Sequence, residues 1–257
     1  MPRHVAAVRW ADWVRRWDRQ QTAYIPHREQ RFETMAEIVG ALGRRRPRFI
    51  DLACGPGSLS RRLLERLPLS SSVAVDFDPV LLELGRRTLQ RFSSRIRWVE
   101  ADLRDPAWAG RLPRGPFDAV LSTTALHWLS LADLTRVYRQ LHAVLRSGGV
   151  LLNGDTMAFD ASLPAFRRLA RTINHERTRA MRTRTDAEDW ETWWRRLRTV
   201  PQLTAQFTLR DERFPHAHHR DQEIAADFHA RALRDAGFRE VGIVWQDLDN
   251  RVLLGVA

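Results

Sequence analysis

Short apolar runs alternate with longer amphipathic stretches through the middle of the chain. The apolar runs have the length of buried strands and lie at residues 48–53, 72–76, 96–100, 117–121 and 150–154. The stretches between them that place apolar residues at helical spacing lie at residues 58–67, 79–92 and 131–145. Because strands that alternate with helices form a parallel sheet covered on both faces, the pattern predicts an α/β fold.

The same alternation returns at the end of the chain. A helix is predicted at 222–236, followed by strands near 239–246 and at 251–256. The short connection Asp247–Asn250 between those strands is typical of a hairpin, which brings an antiparallel strand to the edge of the sheet. The prediction is a doubly wound, seven-stranded, mostly parallel sheet of the Rossmann-like kind.

Two further segments interrupt or precede this pattern. Amphipathic helices are predicted at 6–22 and 27–43, and residues 155–221 form a helical stretch rich in Arg and Trp. Trp190, Trp193 and Trp194 have the spacing of a helix core, with an apolar pocket wall as the less common alternative. The predicted division is an N-terminal helical lid at 1–45, a core at 46–154 and 222–257, and a helical cap at 155–221.

Composition narrows the class of protein. The formal net charge is +11, and all 42 basic residues are arginines spread along the chain in groups such as Arg44–Arg46. A nucleic-acid-binding protein concentrates such charge on one face, so a small-molecule partner is favoured over nucleic acid. Cys54 is the single cysteine. No run of 18 apolar residues suggests a membrane span. Met1–Arg16 lack the long apolar segment of a signal peptide. These features predict a cytoplasmic protein without a membrane partner.

The segment Asp51–Gly57, directly after the first strand, carries the strongest chemical signal. Its glycines let the backbone approach a ligand closely, and the following helix offers N–H groups at the carboxyl edge of the sheet. A dinucleotide-binding loop needs a third glycine where this chain has Ser60. The carboxylate of Asp51 would repel a pyrophosphate but suits a ligand with an ammonium and a sulfonium group. Asp76 ends the second strand, where either kind of nucleotide has its ribose hydroxyls.

Residues Glu100–Leu103 end the third strand and distinguish a dinucleotide from a ligand that carries an ammonium and a sulfonium group. A carboxylate beside an apolar residue at this point can accept a hydrogen bond from an adenine amino group and pack against its ring. In this order, the strand-end features resemble the class I S-adenosylmethionine-dependent methyltransferase family. Further segments that resemble it are 117–122, 125–129, 145–151 and 233–241. Within the family, Ala125–Leu129 resembles small-molecule enzymes of the trans-aconitate methyltransferase type.

The resemblance implies S-adenosylmethionine as cofactor and methyl transfer to an O, N or C nucleophile of a small molecule. It implies a loop of Asp51, Ala53, Gly55 and Gly57 around the methionine part, Asp76 at the ribose, Phe77 beside the adenine, Asp102 and Leu103 flanking the adenine, and Ser122 or Thr123 under the cofactor. Ala53 departs from the family pattern, which often has glycine there. A methyl group is small enough for the loop to be retained.

Three other residues are candidates through the resemblance. Tyr24 and Arg31 would close over the amino-acid end of the cofactor, with Arg31 paired to its carboxylate. The alternative for both is an ordinary surface helix. His127 follows the fourth strand and is the candidate catalytic base, with a structural histidine bonded to the loop backbone as the alternative.

Several alternatives stay open at this point. His216, His218 and His219 lack partner ligands at a convincing spacing, so no metal site is predicted. An RNA or protein methyltransferase is the alternative enzyme, although Ser122–Ala125 stand where base-methylating enzymes have an Asn/Asp-Pro-Pro-Tyr/Phe motif. A non-catalytic S-adenosylmethionine-binding protein is the alternative outside enzymes. The sequence leaves the acceptor and the oligomeric state open.

Overall fold

The computed structural model describes residues 8–185, 187–215 and 223–257 of the chain. The strands are β1 (Arg48–Leu52), β2 (Ser71–Asp76), β3 (Ile96–Glu100), β4 (Phe117–Thr123), β5 (Leu145–Thr156), β6 (Glu240–Asp247) and β7 (Asn250–Val256). The helices are α1 (Trp10–Tyr24), α2 (Arg28–Ala41), α3 (Ser58–Arg66), α4 (Pro79–Thr88), α5 (Leu131–Val144), α6 (Pro164–Thr185), α7 (Trp190–Leu197), α8 (Thr204–Arg213) and α9 (Ala226–Asp235). No helix in these ranges is long and apolar enough to cross a membrane.

The strands form one sheet in the order β3-β2-β1-β4-β5-β7-β6. β1 to β5 run parallel to one another, whereas β7 is antiparallel to both β5 and β6. The predicted seven-stranded, mostly parallel sheet is therefore confirmed. One detail is corrected: the hairpin returns β7 between β5 and β6, so the antiparallel strand lies one place in from the edge.

Some element bounds differ from the prediction for local reasons. The helix predicted at 79–92 ends at Thr88 and is followed by a separate 3-10 turn at Gln90–Phe92. Its start is as predicted, with Pro79 in the first turn after Asp78, whose side chain accepts hydrogen bonds from two backbone N–H groups. β5 begins at Leu145 instead of 150, because the chain continues its pairing with β4 across an irregularity.

Helices cover both faces of the sheet, as the alternating pattern requires. On one face, α5 and α9 bury apolar side chains such as Tyr138 and Leu233 against the strands. On the other face, α2, α3 and α4 bury residues such as Met35, Leu63 and Leu82. The burial of both faces explains why the central strands are continuous apolar runs and not alternating ones.

A third apolar cluster joins α1, α4, α7 and α8 beside the sheet. Trp17 of α1 packs against Trp193 of α7 with ring centroids 5.0 Å apart, and Trp193 is fully buried. Phe207 of α8 and Leu81 of α4 belong to the same cluster. The helix-core interpretation of this tryptophan spacing is thus correct for Trp193. α7 and α8 are fixed to the sheet through α4 and to the N-terminal helices through α1.

Candidate functional site

A cavity of about 740 Å³ lies at the carboxyl ends of β1 to β4, within the range of small-molecule sites. The strand order explains the position of this cavity. β1 and β4 are neighbours, and the chain continues from them in opposite directions along the sheet, which leaves a crevice at their carboxyl ends. The residues predicted for the site that line this cavity are Asp51, Ala53, Gly55, Asp76, Phe77, Asp102, Leu103, Thr123 and His127. The structure therefore brings most of the predicted residues together on one wall.

The loop after β1 turns sharply, because three of its residues have left-handed backbone conformations. Ala53 has φ 53°, Gly55 has φ 55° and Gly57 has φ 78°. Glycine takes this conformation without cost, whereas a residue with a Cβ loses about 1 kcal/mol. The turn is thus kept at Ala53 in spite of the departure from the family's glycine.

Two carboxylates of the loop region, one buried (Asp51) and one partly buried (Asp76), face the cavity without an Arg ion pair among the described residues. Asp51 accepts hydrogen bonds from the Ser60 backbone N–H at 2.9 Å and the Ser60 hydroxyl at 2.7 Å, both at Oδ2. Asp76 accepts from the Gly55 N–H at 2.7 Å and the Asp78 N–H at 2.8 Å. Burial raises the pKa of each carboxyl to about 6, although these hydrogen bonds lower it. Both groups are suited to a ligand that brings positive charge or hydroxyl donors.

Asp102 lies at the same edge of the sheet but is already engaged. Its carboxylate accepts from Arg104 Nε at 2.9 Å to Oδ1 and 3.0 Å to Oδ2, and from Nη2 at 2.7 Å to Oδ2. The Arg104 backbone N–H also donates to Oδ1 at 2.9 Å. The Arg104 guanidinium lies 5.7 Å from the centroid of the Phe77 ring. Asp102 can therefore accept a further hydrogen bond only through the oxygen lone pairs that Arg104 does not use.

Gly57 does not lie on the cavity wall, which corrects its predicted place. It is the residue before α3, and a Cβ there would come within 2.8 Å of the Trp98 ring and 2.9 Å of Leu89. Close packing of the α3 start against Trp98 is the reason for this glycine. Gly57 stays a predicted residue of the cofactor loop through the turn that it permits.

Tyr24 and Arg31 also lie away from the wall. Tyr24 is 37% exposed at the end of α1, and Arg31 is 1% exposed in the interior. The Arg31 guanidinium donates to Asn250 Oδ1 at 2.9 Å and to the Thr124 hydroxyl. α2 packs against β4 and β7, so this face of the helix points into the protein. In this structure neither residue is in place for the predicted closure over the cofactor.

Arg28, one turn earlier on α2, is the arginine of this helix that faces the cavity. It lines the cavity, is 5% exposed and donates to Asp18 Oδ1 at 3.1 Å. Burial lowers its pKa, while the neighbouring Asp18 opposes that shift. Sequence spacing alone gave no signal for choosing Arg28, because the turn before α2 decides which face is inward.

His127 forms a pair with a residue that the sequence interpretation missed. Its Nδ1 lies 2.8 Å from Oδ1 of Asp155, which is 1% exposed near the end of β5. Burial by itself would raise the pKa of Asp155, but the charge and hydrogen bond of His127 and the charge of Arg31 lower it overall. An ionised Asp155 orients the imidazole and favours the tautomer with hydrogen on Nδ1.

The histidines considered as a metal site, His216, His218 and His219, lie outside the described residues. Within the described ranges, no group of three or more His, Cys, Asp or Glu side chains could hold a metal ion.

Comparison with known proteins agrees with the geometry of the cavity. A family model described as a methyltransferase domain matches residues 49–149, which contain the loop after β1 and the ends of β2, β3 and β4. Residues 49–149 are therefore similar to methyltransferase domains. These matched residues supply most of the sheet-side wall of the cavity.

The curated relatives of this chain match about half of its length. It is 38% identical over 112 residues to a demethylmenaquinone methyltransferase of Thermus thermophilus, covering 44% of this chain and 48% of that protein. It is 32% identical over 136 residues to a trans-aconitate 2-methyltransferase of Azoarcus, covering 52% and 49%. The chain thus spans about half the length of the curated relatives it matches.

A solved structure resembles the fold over nearly its whole length. The crystal structure of a putative S-adenosylmethionine-dependent methyltransferase from Methanococcus maripaludis has a TM-score of 0.54 at 17% identity. The match covers 96% of this chain and 92% of that one. The likeness supports the fold of this chain.

The residues of the cavity fit S-adenosylmethionine by their chemistry. The cofactor carries an ammonium group and two ribose hydroxyls, which are all hydrogen-bond donors. Asp51 and Asp76 offer acceptor oxygens on the wall, and neither forms an ion pair with an Arg among the described residues. A dinucleotide would bring two phosphate charges to the same carboxylates, which is unfavourable.

Proposed function

We propose that this protein transfers a methyl group from S-adenosylmethionine to an O, N or C nucleophile of a small molecule. The observation that carries the proposal is the His127–Asp155 pair, which adds a proton acceptor to the cavity that holds Asp51 and Asp76. When bound, S-adenosylmethionine supplies an electrophilic methyl group on a positively charged sulfur.

The sheet-side residues hold and orient the cofactor in this proposal. Asp51 accepts from its ammonium group, and Asp76 accepts from its ribose hydroxyls. Phe77 and Leu103 pack against the adenine, and Asp102 accepts from the adenine amino group. Thr123 and the loop residues Ala53 and Gly55 line the remaining surface. Each assignment follows from the side chain's chemistry and from its place on the wall.

His127 is the proton acceptor. Asp155 accepts the hydrogen on Nδ1, so Nε2 is the nitrogen that takes the proton of an acceptor hydroxyl or amine. The negative charge of Asp155 then stabilises the imidazolium that forms. Positioning of the acceptor against the bound cofactor supplies the rest of the rate.

A small acceptor is supported over nucleic acid by the charges around the cavity. The arginines that line it, within the part of the chain that the structure describes, all contact carboxylates of the protein. These pairs are Arg28–Asp18, Arg104–Asp102, Arg210–Asp78 and Arg213–Glu100. Phosphate groups of RNA would have to compete with these carboxylates. Trp190 and Trp194 add apolar surface from α7, and relatives named for trans-aconitate and demethylmenaquinone act on small molecules.

His127→Ala is expected to slow methyl transfer by about 10²- to 10⁴-fold, the usual contribution of general base catalysis. Affinity for S-adenosylhomocysteine should change less than about twofold, since the imidazole is bound to Asp155 and not to the loop after β1. The assay follows a labelled methyl group from S-adenosylmethionine into trans-aconitate, a demethylmenaquinone analogue, and simple phenols and amines. Methylation by the variant at the wild-type rate would remove His127 as the base. Label that enters only RNA or protein would replace the small-molecule proposal by its alternative.

A further inference from the structure

The carboxyl end of α8 reaches across to the ends of β2 and β3. Arg213 donates from Nη1 to the backbone carbonyl of Phe77 at 2.8 Å and from Nη2 to Glu100 Oε1. Arg210, one turn earlier, donates from Nε to Asp78 Oδ2 at 2.7 Å. Two ion pairs therefore fix α8 at the point where Asp76 and Phe77 enter the cavity.

Aromatic and guanidinium groups surround the Phe77 side chain at this point. The Arg213 guanidinium lies 4.9 Å from the centroid of the Phe77 ring. The Phe214 ring stands edge-on to Phe77 with centroids 5.5 Å apart and an interplanar angle of 63°. All three side chains line the cavity. This wall is partly aromatic and carries a delocalised cation.

Such a wall is suited to a purine ring. A nucleobase stacks on aromatic rings and on guanidinium planes, and one stacking contact changes affinity by about 5- to 150-fold. Glu100 pairs with Arg213, so the guanidinium is held in place by the protein before any ligand arrives. Pre-orientation of this kind reduces the entropy lost on binding.

We propose that α8 completes the adenosine site, with Arg213 and Phe214 closing over a purine that lies against Phe77. The inference rests on the proposed function, because it takes S-adenosylmethionine as the ligand. It gives the helical segment after β5 a role in holding the cofactor in addition to any contact with the acceptor. The residues that α8 adds to this wall are far from β2 in the sequence, since Arg213 lies 136 residues beyond Phe77.

A purely structural link between α8 and the sheet would have a different signature. Loss of Arg213 would then lower the thermal stability of the protein without changing its affinity for adenosine compounds. Arg198 offers a matched control, because it forms an ion pair with Asp211 of α8 at 2.7 Å and does not line the cavity. Its removal breaks an ion pair of α8 while leaving the wall around Phe77 intact.

The test is calorimetric titration of the full chain with S-adenosylhomocysteine and with 5′-methylthioadenosine, which lacks the amino-acid part. Arg213→Ala and Phe214→Ala should each weaken both ligands by about tenfold. Arg198→Ala should bind both ligands as the wild type does. Circular dichroism of each variant checks that the fold is retained, and Phe214→Ala serves where Arg213→Ala misfolds.

The outcomes separate the proposals. Unchanged affinity in both alanine variants would overturn the role of α8 in adenosine binding. Weaker binding of S-adenosylhomocysteine alone would also overturn it, since α8 would then contact the amino-acid end. If the wild type binds neither ligand, the proposed function itself fails.

Discussion

Asp51→Asn is expected to raise the free energy of unfolding at pH 8 while it weakens binding of S-adenosylhomocysteine. Asp51 is 2% exposed, and both of its protein hydrogen bonds end at Oδ2. The amide oxygen of an asparagine can accept the same bonds from Ser60, so the variant removes the buried charge and keeps the contacts. The ligand's ammonium loses an ionised partner, which is worth about 1.5–3 kcal/mol, or roughly 10- to 150-fold in affinity.

The pH dependence of the stability gain has a definite sign. Burial raises the pKa of Asp51 from 3.8 to about 6, so ionisation of this group disfavours the folded state. The penalty is absent below the unfolded pKa of 3.8, grows as the pH rises through about 6, and is constant above it. Its full size is about 3 kcal/mol, which is the shift converted at about 1.4 kcal/mol per pKa unit.

Urea unfolding of the wild type and Asp51→Asn between pH 4 and pH 8 measures this difference. Asp118→Asn is the control, because Asp118 is a buried carboxylate at the start of β4 that pairs with Arg146 at 2.7 Å. That variant should be less stable than the wild type at pH 8, with unchanged affinity for the ligand. A stability difference for Asp51→Asn that is the same at every pH, or a loss at pH 8, would contradict the buried-charge explanation.

Asp155→Asn is expected to lower the rate of methyl transfer by about 10²- to 10⁴-fold, with little change in cofactor affinity. An amide at this position can donate to Nδ1 of His127, which favours the tautomer with hydrogen on Nε2. That tautomer leaves Nε2 unable to take a proton from the acceptor. The variant therefore removes the base by changing its tautomer and not its position.

The pH profile of transfer distinguishes this effect from structural damage. The deficit of Asp155→Asn should shrink as the pH approaches the acceptor's own pKa, because an ionised acceptor needs no base. The rates are compared across pH with whichever acceptor the wild type methylates, and titration with S-adenosylhomocysteine runs alongside. A deficit that is equal at every pH and accompanied by weaker cofactor binding would contradict the role of Asp155 as a positioning residue.

Local patterns were sufficient to locate the strand ends that form the site. Asp51, Asp76 and Asp102 each follow an apolar run, and a parallel sheet brings the carboxyl ends of such runs to one edge. The fold prediction depended on the alternation of strands and helices, and the individual site residues came from the resemblance to the methyltransferase family. The fold class and the sheet-side wall could therefore be predicted without long-range contacts.

The sequence did not reveal which residues that are far apart in the chain are in contact in the fold. The choice between Arg28 and Arg31 depends on the turn before α2, where His27 has a left-handed backbone with φ 59°. Asp155 meets His127 because β4 and β5 are neighbours, but the predicted strand ended one residue earlier, at 154. Arg213 contacts Phe77 through tertiary packing of α8. No local pattern predicts any of these pairings.

Calorimetric titration of the wild-type protein with S-adenosylhomocysteine, with NAD as the comparison ligand, tests the central claim most directly. We expect one binding site for S-adenosylhomocysteine, no binding of NAD, and a loss of about 100-fold in Asp76→Ala, which removes the acceptor for two ribose hydroxyls. Binding of NAD alone, or equal affinity of Asp76→Ala and the wild type for S-adenosylhomocysteine, would contradict the assignment of the cavity to S-adenosylmethionine.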